Sequence, residues 1–198
     1  MTLRSALCAL LVLCLGSAGL WAGTDGLRAF TSEQARRLAV QRTPRPVPDV
    51  VLQDQDGRAF GLGDYRGRKL LVDFVYTRCR SICGALGAGF QRLSHDLPPA
   101  PDAAMLLTIS FDPQADTPAA LKRYAQRFSA DASVWRIARP QDEATLAALL
   151  RTFEVVVVPD AYGEFQHNAA LHLVDESGRL VRIFAYDELE QAAEALRR

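Results

Sequence analysis

The sequence predicts an α/β domain with a mixed central sheet flanked by helices, preceded by an N-terminal β-hairpin and an apolar N-terminal helix. Three observations predict it. A β-rich apolar run, residues 70–76, leads directly into a segment with helical spacing. Strand-like and helix-like segments then alternate, which favours parallel strands joined by crossover helices. Two adjacent strands and a helix close the chain, and this mixed order is that of a thioredoxin-like sandwich.

The bulk composition fits a globular domain with a leader. The 198 residues are 49% hydrophobic, enough to build a core without disulfide staples. The 23 basic and 23 acidic residues balance and form no basic stripe, which argues against a nucleic-acid partner. Of the four cysteines, Cys8 and Cys14 lie in the apolar leader. A disulfide-rich secreted scaffold is therefore excluded.

Residues 1–23 predict a signal anchor or a signal peptide. Arg4 is the positive flank, and residues 5–23 carry no charge. That length is near the lower limit for a membrane-spanning helix and exceeds a typical signal-peptide core. The positive flank directs the rest of the chain away from the cytoplasm. We expect an inner-membrane protein with its globular domain on the periplasmic side, or a periplasmic protein if the leader is cleaved.

Residues 24–45 predict a linker, and residues 46–198 the folded domain. Thr31 can cap a short helix over residues 35–40. The proline-rich residues 43–48 force an extended chain into the domain. The domain opens with a small hairpin around the turn Asp56-Gly57.

The remaining elements follow from periodicity and from turn residues. The predicted order is strand 70–76, helix 81–97, strand 104–111, a helix opening at Thr117-Pro118, helix 142–153, strand 155–158, hairpin strands 169–175 and 179–184, and helix 187–196. Residues 132–159 are interpreted as an insertion into the fold.

Cys79 and Cys83 are the candidate chemical centre. They lie four residues apart where a central strand turns into a helix, so both sulfurs can share one helix face. The helix N-terminus, Arg78 and Arg80 all favour thiolates. A thiolate pair suits copper(I), a soft ion. The spacing is equally compatible with a redox-active disulfide, and two inert thiols are a further alternative.

His167 favours the metal interpretation. Thioredoxin-like oxidoreductases place a cis-proline just before the corresponding strand, facing the disulfide, whereas here His167 stands just before the strand 169–175. Its imidazole would project toward the two sulfurs and complete a three-coordinate site. His95 is expected at a helix end and His172 on the other face of its strand, so neither is predicted to be a ligand.

Four stretches of the chain resemble the Sco/SenC family of copper chaperones for cytochrome c oxidase assembly. They are Tyr76-Thr77-Arg78-Cys79 with Cys83, Asp112-Pro113 with Asp116-Thr117-Pro118, the segment 167–173 and the turn 175–180. The resemblance covers about residues 46–197, together with the N-terminal anchor typical of the family.

The resemblance implies a function and a set of ligands. Cys79, Cys83 and His167 would bind copper, as Cu(I) and also as Cu(II), with the cysteines cycling between dithiol and disulfide. The recipient would be the binuclear copper centre of cytochrome c oxidase subunit II or another copper protein, and we expect a monomer.

Three positions depart from the family pattern. Arg80 and Gly84 replace the usual prolines after the cysteines, and Gln166 replaces an acidic residue. Loss of that carboxylate weakens the support of the imidazole. A thiol–disulfide oxidoreductase that reduces a partner's copper-site cysteines is therefore the alternative function. A thiol peroxidase is disfavoured because no proline lies in the stretch shortly before Cys79, and a redox sensor is a further alternative.

Asp112 and Asp116 are interpreted as structural. We expect the segment Asp116-Thr117-Pro118 to cap a helix and Asp112-Pro113 to set the preceding turn.

Overall fold

The computed structural model describes residues 3–79, 82–99 and 103–198. The chain divides into two compact units, Met1–Thr43 and Pro44–Arg198. In the first unit, the apolar helix α1 (Leu3–Gly23) is long and apolar enough to cross a membrane. A second helix, α2 (Ser32–Arg42), begins after Thr31, whose side chain accepts a hydrogen bond from the Gln34 amide.

The second unit contains a sheet, a separate hairpin and the remaining helices. Its helices are α3 (Ile82–His95), α4 (Pro118–Arg127), α5 (Glu143–Phe153) and α6 (Leu189–Arg197), with a 3-10 turn at Leu62–Tyr65. Its strands are β1 (Arg45–Pro46), β2 (Val51–Asp54), β3 (Ala59–Gly61), β4 (Leu70–Val75), β5 (Met105–Ser110), β6 (Trp135–Pro140), β7 (Val157–Pro159), β8 (Phe165–His167), β9 (Ala170–Val174) and β10 (Arg179–Ala185).

The central sheet has the order β1-β10-β9-β4-β5-β6-β2-β3. Strand β4 pairs parallel with β5 and antiparallel with β9, and every one of its residues is buried. The N-terminal hairpin β2–β3 and the C-terminal hairpin β9–β10 are both antiparallel. The predicted mixed sheet with flanking helices is confirmed.

Helices cover both faces of this sheet. On one face, Phe90 of α3 and Phe128, the C-cap of α4, both contact the ring of Trp135 on β6, at centroid distances of 5.7 and 6.3 Å. On the other face, Phe153 of α5 packs 5.2 Å from Phe74 of β4. Because β4 is held from both sides, the loop that follows it starts from a fixed point.

Only part of the segment interpreted as an insertion, residues 132–159, belongs to the central sheet. Residues 135–140 form β6, which pairs parallel with β5 and antiparallel with β2. The two arginines of β6 make this strand look polar and solvent-exposed in the sequence. In the structure, Arg136 stacks 4.5 Å from the Phe60 ring, and Arg139 donates to the side-chain oxygen of Gln53. The short run predicted at 155–158 is one arm of a separate hairpin, β7–β8.

Candidate metal centre

The candidate site forms where β4 ends. After Val75 the chain leaves the sheet, and the Cys79 amide donates to the Tyr76 carbonyl at 3.2 Å, which closes a turn before α3. Cys83 lies in the first turn of α3. Cys79 is 8% exposed and Cys83 is 1% exposed, so the pair lies just beneath the surface with Cys79 on the outer side.

The structure brings the two cysteines together as thiols. Their side chains contact each other, and neither forms a disulfide in the described part of the chain. Burial, followed by the contact with Cys79, raises the pKa of the Cys83 thiol well above its usual range. Burial therefore works against the thiolate expected at Cys83, and the interaction with the Tyr76 backbone, which lowers the pKa, does not offset it.

The arginine expected to assist the thiols has another partner. Arg78 is largely exposed and forms an ion pair with Asp112 at 2.6 Å. That side-chain hydrogen bond raises the pKa of the Arg78 guanidinium. The other arginine, Arg80, lies outside the described residues together with Ser81.

Tyr76 links the cysteine loop to the strand that carries His167. Its hydroxyl accepts a hydrogen bond from the Phe165 amide at 3.4 Å and lies against the Cys79 side chain. Burial, with Cys79 as a further cause, raises the pKa of Tyr76 to about 12. The Tyr76 ring also packs on Phe111 and Phe165, at 5.5 and 5.2 Å.

His167 is the last residue of β8, and its ring is set among apolar groups. The ring centroid lies 5.0 Å from that of Phe111. Both ring nitrogens are buried, and neither has a hydrogen-bond partner among the described residues. Burial lowers the pKa of His167, and an interaction with the Phe74 backbone partly offsets this. The imidazole is therefore neutral at pH 7, the form that binds a metal.

The three predicted ligands share one end of β4 but do not form a closed ligand set. Across residues 3–79, 82–99 and 103–198, no three His, Cys, Asp or Glu side chains are grouped closely enough to hold one metal ion. Cys79 and Cys83 touch each other, whereas His167 is held against Phe111. The convergence predicted from the sequence is thus present for the pair of sulfurs only.

Asp116 has a role that the sequence interpretation missed. Thr117, not Asp116, caps α4, because its side chain accepts from the Ala120 amide. The Asp116 carboxylate is fully buried and accepts from the Thr77 amide (2.9 Å), the Thr77 hydroxyl (2.6 Å) and the Ser110 hydroxyl (2.6 Å). It therefore fixes the chain two residues before Cys79. The buried partners could not be read from an Asp-Thr-Pro sequence.

Asp73 is a second buried acid behind the site. It lies in the middle of β4, and neither carboxyl oxygen has a hydrogen-bond partner of good geometry in the described residues. Its neighbour across the parallel pair, Thr108, makes the nearest polar interaction. Burial raises the pKa of Asp73 to about 7. In the sequence, Asp73 stands out as a charged residue inside the apolar run 70–76.

The other histidines lie where the sequence predicts. His95 is exposed at the end of α3. His172 is buried in β9, where its ring packs edge-on against Phe74 and Phe153 and its Nδ1 lies 3.2 Å from the Val72 carbonyl. Two of the three positions that depart from the Sco/SenC pattern, Gly84 and Gln166, lie in the described part of the chain. Both are exposed.

The comparison with protein families shows the family to which this chain is related. The SCO1/SenC family model matches residues 41–198. The chain belongs to the SCO1/SenC family. The match spans the whole sheet and includes Cys79, Cys83 and His167.

Individual relatives of the family agree with this assignment. The chain is 25% identical over 138 residues to the SCO1 protein homolog of Bacillus subtilis, covering 69% of this chain and 72% of that protein. It is similar to ScoI of Bradyrhizobium japonicum, solved with copper bound, at 28% identity and a TM-score of 0.66, covering 77% of this chain and 98% of ScoI.

A third similarity concerns the fold. BsSco, described as a Sco-family cytochrome c oxidase assembly protein with a disulfide switch, matches at 21% identity and a TM-score of 0.68. The match covers 78% of this chain and 93% of BsSco.

Proposed function

We propose that this SCO1/SenC protein carries copper and delivers it to, or prepares, the binuclear copper site of a respiratory oxidase. The observation that carries the proposal is the position of two touching thiols and an unpartnered imidazole at one end of β4. Family membership and the copper-bound ScoI support it. Subunit II of cytochrome c oxidase is the proposed recipient, with another copper protein as the alternative.

The donor set fits copper as the cargo. Two cysteine sulfurs and a neutral imidazole nitrogen are soft or borderline ligands, the combination that favours Cu(I) and also tolerates Cu(II). A buried ring nitrogen without a hydrogen bond is costly unless something binds it, which supports His167 as a ligand. Loading would require the His167 side chain to turn from Phe111 toward the cysteine pair.

A thiol–disulfide oxidoreductase is the second candidate function, favoured by the contact between the two thiols. Cys79, the more exposed sulfur, would attack a partner's disulfide and release one partner thiol. Cys83 would then attack the mixed disulfide and release the second partner thiol. The partner gains two thiols while Cys79 and Cys83 become a disulfide, so the electrons balance.

The proposed cellular arrangement follows from the leader. We propose that residues 1–23 anchor the protein in the inner membrane, or direct its export if cleaved, and that residues 24–45 link them to a carrier domain at 46–198. The apolar helix α1 supports this arrangement. The domain would lie on the periplasmic side and would act as a monomer.

Copper binding by the full-length protein in detergent tests the first function. Titration with Cu(I) against a competing chelator should give one copper per chain. His167→Ala should weaken binding, because it removes one of three ligands. His95→Ala is the matched control, since His95 is exposed and lies at the opposite end of α3 from Cys83. Unchanged affinity in His167→Ala would contradict the ligand assignment.

The same variants separate the two functions. A reductase needs only the sulfurs, so His167→Ala should retain reduction of an oxidised oxidase fragment, whereas Cys79→Ser should abolish it. If His167→Ala lost copper binding and oxidase assembly together while the reductase rate was unchanged, the carrier function would be the one that the cell uses.

A further inference from the structure

Asn168, the residue after His167, joins two distant parts of the backbone. Its side-chain oxygen accepts a hydrogen bond from the Val156 amide at 2.7 Å. Its side-chain nitrogen donates to the Glu154 carbonyl at 2.9 Å. One amide group therefore closes the segment 154–168 at its base, and both contacts lie within the distance range of good hydrogen bonds.

The backbone to which Asn168 is fastened lies at the end of α5. Glu154 is the C-cap of α5 and has a left-handed conformation, with φ 51° and ψ 43°. The residue before it, Phe153, is fully buried and packs on Phe74 of β4. The side chain of Asn168 thus connects the end of β8 to the helix that covers one face of the central sheet.

By contrast, no hydrogen bond of good geometry within the described part of the chain orients the imidazole next to Asn168. Neither ring nitrogen of His167 has a hydrogen-bond partner in the described residues, and the ring contacts Phe111. The hairpin β7–β8 consists of three residue pairs, the first of which joins Val157 to His167. The position of the ring therefore depends on where the backbone of residue 167 is held.

We propose that Asn168 is the positioning residue that fixes the backbone of His167 relative to the cysteine pair. This inference rests on the proposed copper function, in which His167 is a ligand. Asn168 itself does not contact the ion. It acts by keeping β8 at a fixed distance from the end of α5, so that the imidazole loses little freedom when it binds copper.

Asn168→Ala and Asn168→Asp test the proposal in the full-length protein. The alanine variant removes both contacts. The aspartate variant keeps the acceptor for Val156 but places a carboxylate oxygen against the Glu154 carbonyl. Both should bind copper about 10- to 100-fold more weakly, the usual effect of removing a group that orients a metal ligand. The nitrogen coupling in the electron paramagnetic resonance spectrum of bound Cu(II) should also change.

Asp160→Ala is the matched control, because it loosens the other end of the same hairpin. The Asp160 side chain accepts from the amides of Tyr162 and Glu164, at 2.8 and 2.9 Å. This variant should leave copper affinity and the Cu(II) spectrum unchanged. An equal loss in Asp160→Ala would overturn the proposal, since it would show that general order of the hairpin suffices.

A double-mutant cycle decides whether Asn168 acts through His167. In a His167→Ala background, Asn168→Ala should cause no further loss of copper affinity. The same 10- to 100-fold loss in both backgrounds would overturn the proposal. So would a copper affinity of Asn168→Ala equal to that of the unmodified protein.

A measurement without copper separates this proposal from the copper function. Amide hydrogen exchange at Val156 and His167 should be faster in Asn168→Ala than in the unmodified protein and unchanged in Asp160→Ala. If the unmodified protein bound no copper, the proposed function would fail, while the exchange rates would still decide whether Asn168 holds β8. Unchanged exchange in Asn168→Ala would overturn the positioning role.

Discussion

The hydroxyl of Thr77 donates a 2.6 Å hydrogen bond to the buried carboxylate of Asp116, 39 residues further along the chain. The Thr77 amide donates to the same carboxylate, and the Ser110 hydroxyl completes its set of donors. This contact joins the loop that presents Cys79 to the loop that precedes α4. The conformation of the cysteine loop therefore depends partly on Asp116, a residue outside the loop.

Asp116→Ala should destabilise the protein by about 3 kcal/mol, because it leaves buried donors on Thr77 and Ser110 without an acceptor. Asp142→Ala is a matched control. Asp142 accepts from the amide and hydroxyl of Thr145, but at an exposed helix N-terminus. Its removal should cost about 1 kcal/mol. Chemical unfolding of the full-length chain in detergent measures both values, and equal costs would contradict the role given to Asp116.

The sequence predicts the parts of this fold that depend on local pattern. The buried run that becomes β4, the helix after the cysteines and the hairpin β9–β10 all follow from periodicity and turn residues. Strand β6 is missed because its arginines look like solvent-exposed charge. Their aliphatic and planar parts are in fact covered by Phe60 and Gln53, which lie far away in sequence.

The candidate site is predictable only in part, for a related reason. Helical spacing predicts that Cys79 and Cys83 lie together, and the structure confirms that their side chains touch. The shared helix face is wrong, however, because Cys79 lies in the turn before α3 and only Cys83 is on the helix. The protonation of Cys83 does not follow, because it depends on how deeply the sulfur is buried. The hydrogen bonds of the Asn168 side chain with Glu154 and Val156 do not follow from local sequence patterns either, since they join residues at least 12 positions apart.

Asp73 should make stability depend on pH. Its pKa is raised from 3.8 to about 7 by burial, so between these values the folded state binds more protons than the unfolded state. The contribution of Asp73 to stability must then fall as pH rises from about 4 to about 7. The ionised side chain would cost at most about 4 kcal/mol, because each pKa unit corresponds to about 1.4 kcal/mol.

Asp73→Asn tests this effect. The variant should be more stable than the unmodified protein at pH 8, and the advantage should shrink as the pH falls toward 4. Chemical unfolding at a series of pH values measures the difference. Asp73 faces Tyr124 and Cys83, whose pKa values are themselves raised, so neither gains a charge in this range. A pH-independent difference would show that Asp73 does not titrate as expected.

Two glycines on α3 should respond oppositely to alanine. A Cβ atom on Gly87 would lie 2.5 Å from the Phe128 ring and 2.8 Å from the Tyr124 hydroxyl, whereas a Cβ atom on Gly84 would meet nothing within 4 Å. Gly87→Ala should destabilise the protein by about 1–3 kcal/mol through overpacking. Gly84→Ala should stabilise it by up to about 1 kcal/mol, because alanine favours the helix.

The unfolding free energies of these two variants check the packing of α3 on α4. Gly84 lies directly after Cys83, so its variant also shows whether the residue at this departure from the family pattern affects copper affinity. No change in affinity is expected, since the position is exposed and open. A stabilising Gly87→Ala would mean that α3 and α4 are less closely packed than described.

Two tyrosine hydroxyls contact different atoms of the cysteine pair, which allows a matched test of the copper ligands. The Tyr76 hydroxyl lies against the Cys79 side chain, whereas the Tyr124 hydroxyl donates to the Cys83 carbonyl at 3.3 Å. A hydrogen bond to a ligand sulfur tunes the metal that the sulfur binds. Tyr76→Phe should therefore shift the sulfur-to-copper absorption band of the Cu(II) form and change copper affinity by up to about tenfold.

Tyr124→Phe should lower stability by about 1 kcal/mol and leave the absorption band in place, because it removes a hydrogen bond to the backbone only. Absorption spectra and chelator competition on the full-length protein measure both effects. If the two variants shifted the band equally, the hydroxyl of Tyr76 would have no special relation to the Cys79 sulfur, and the effect would come from the packing of the loop as a whole.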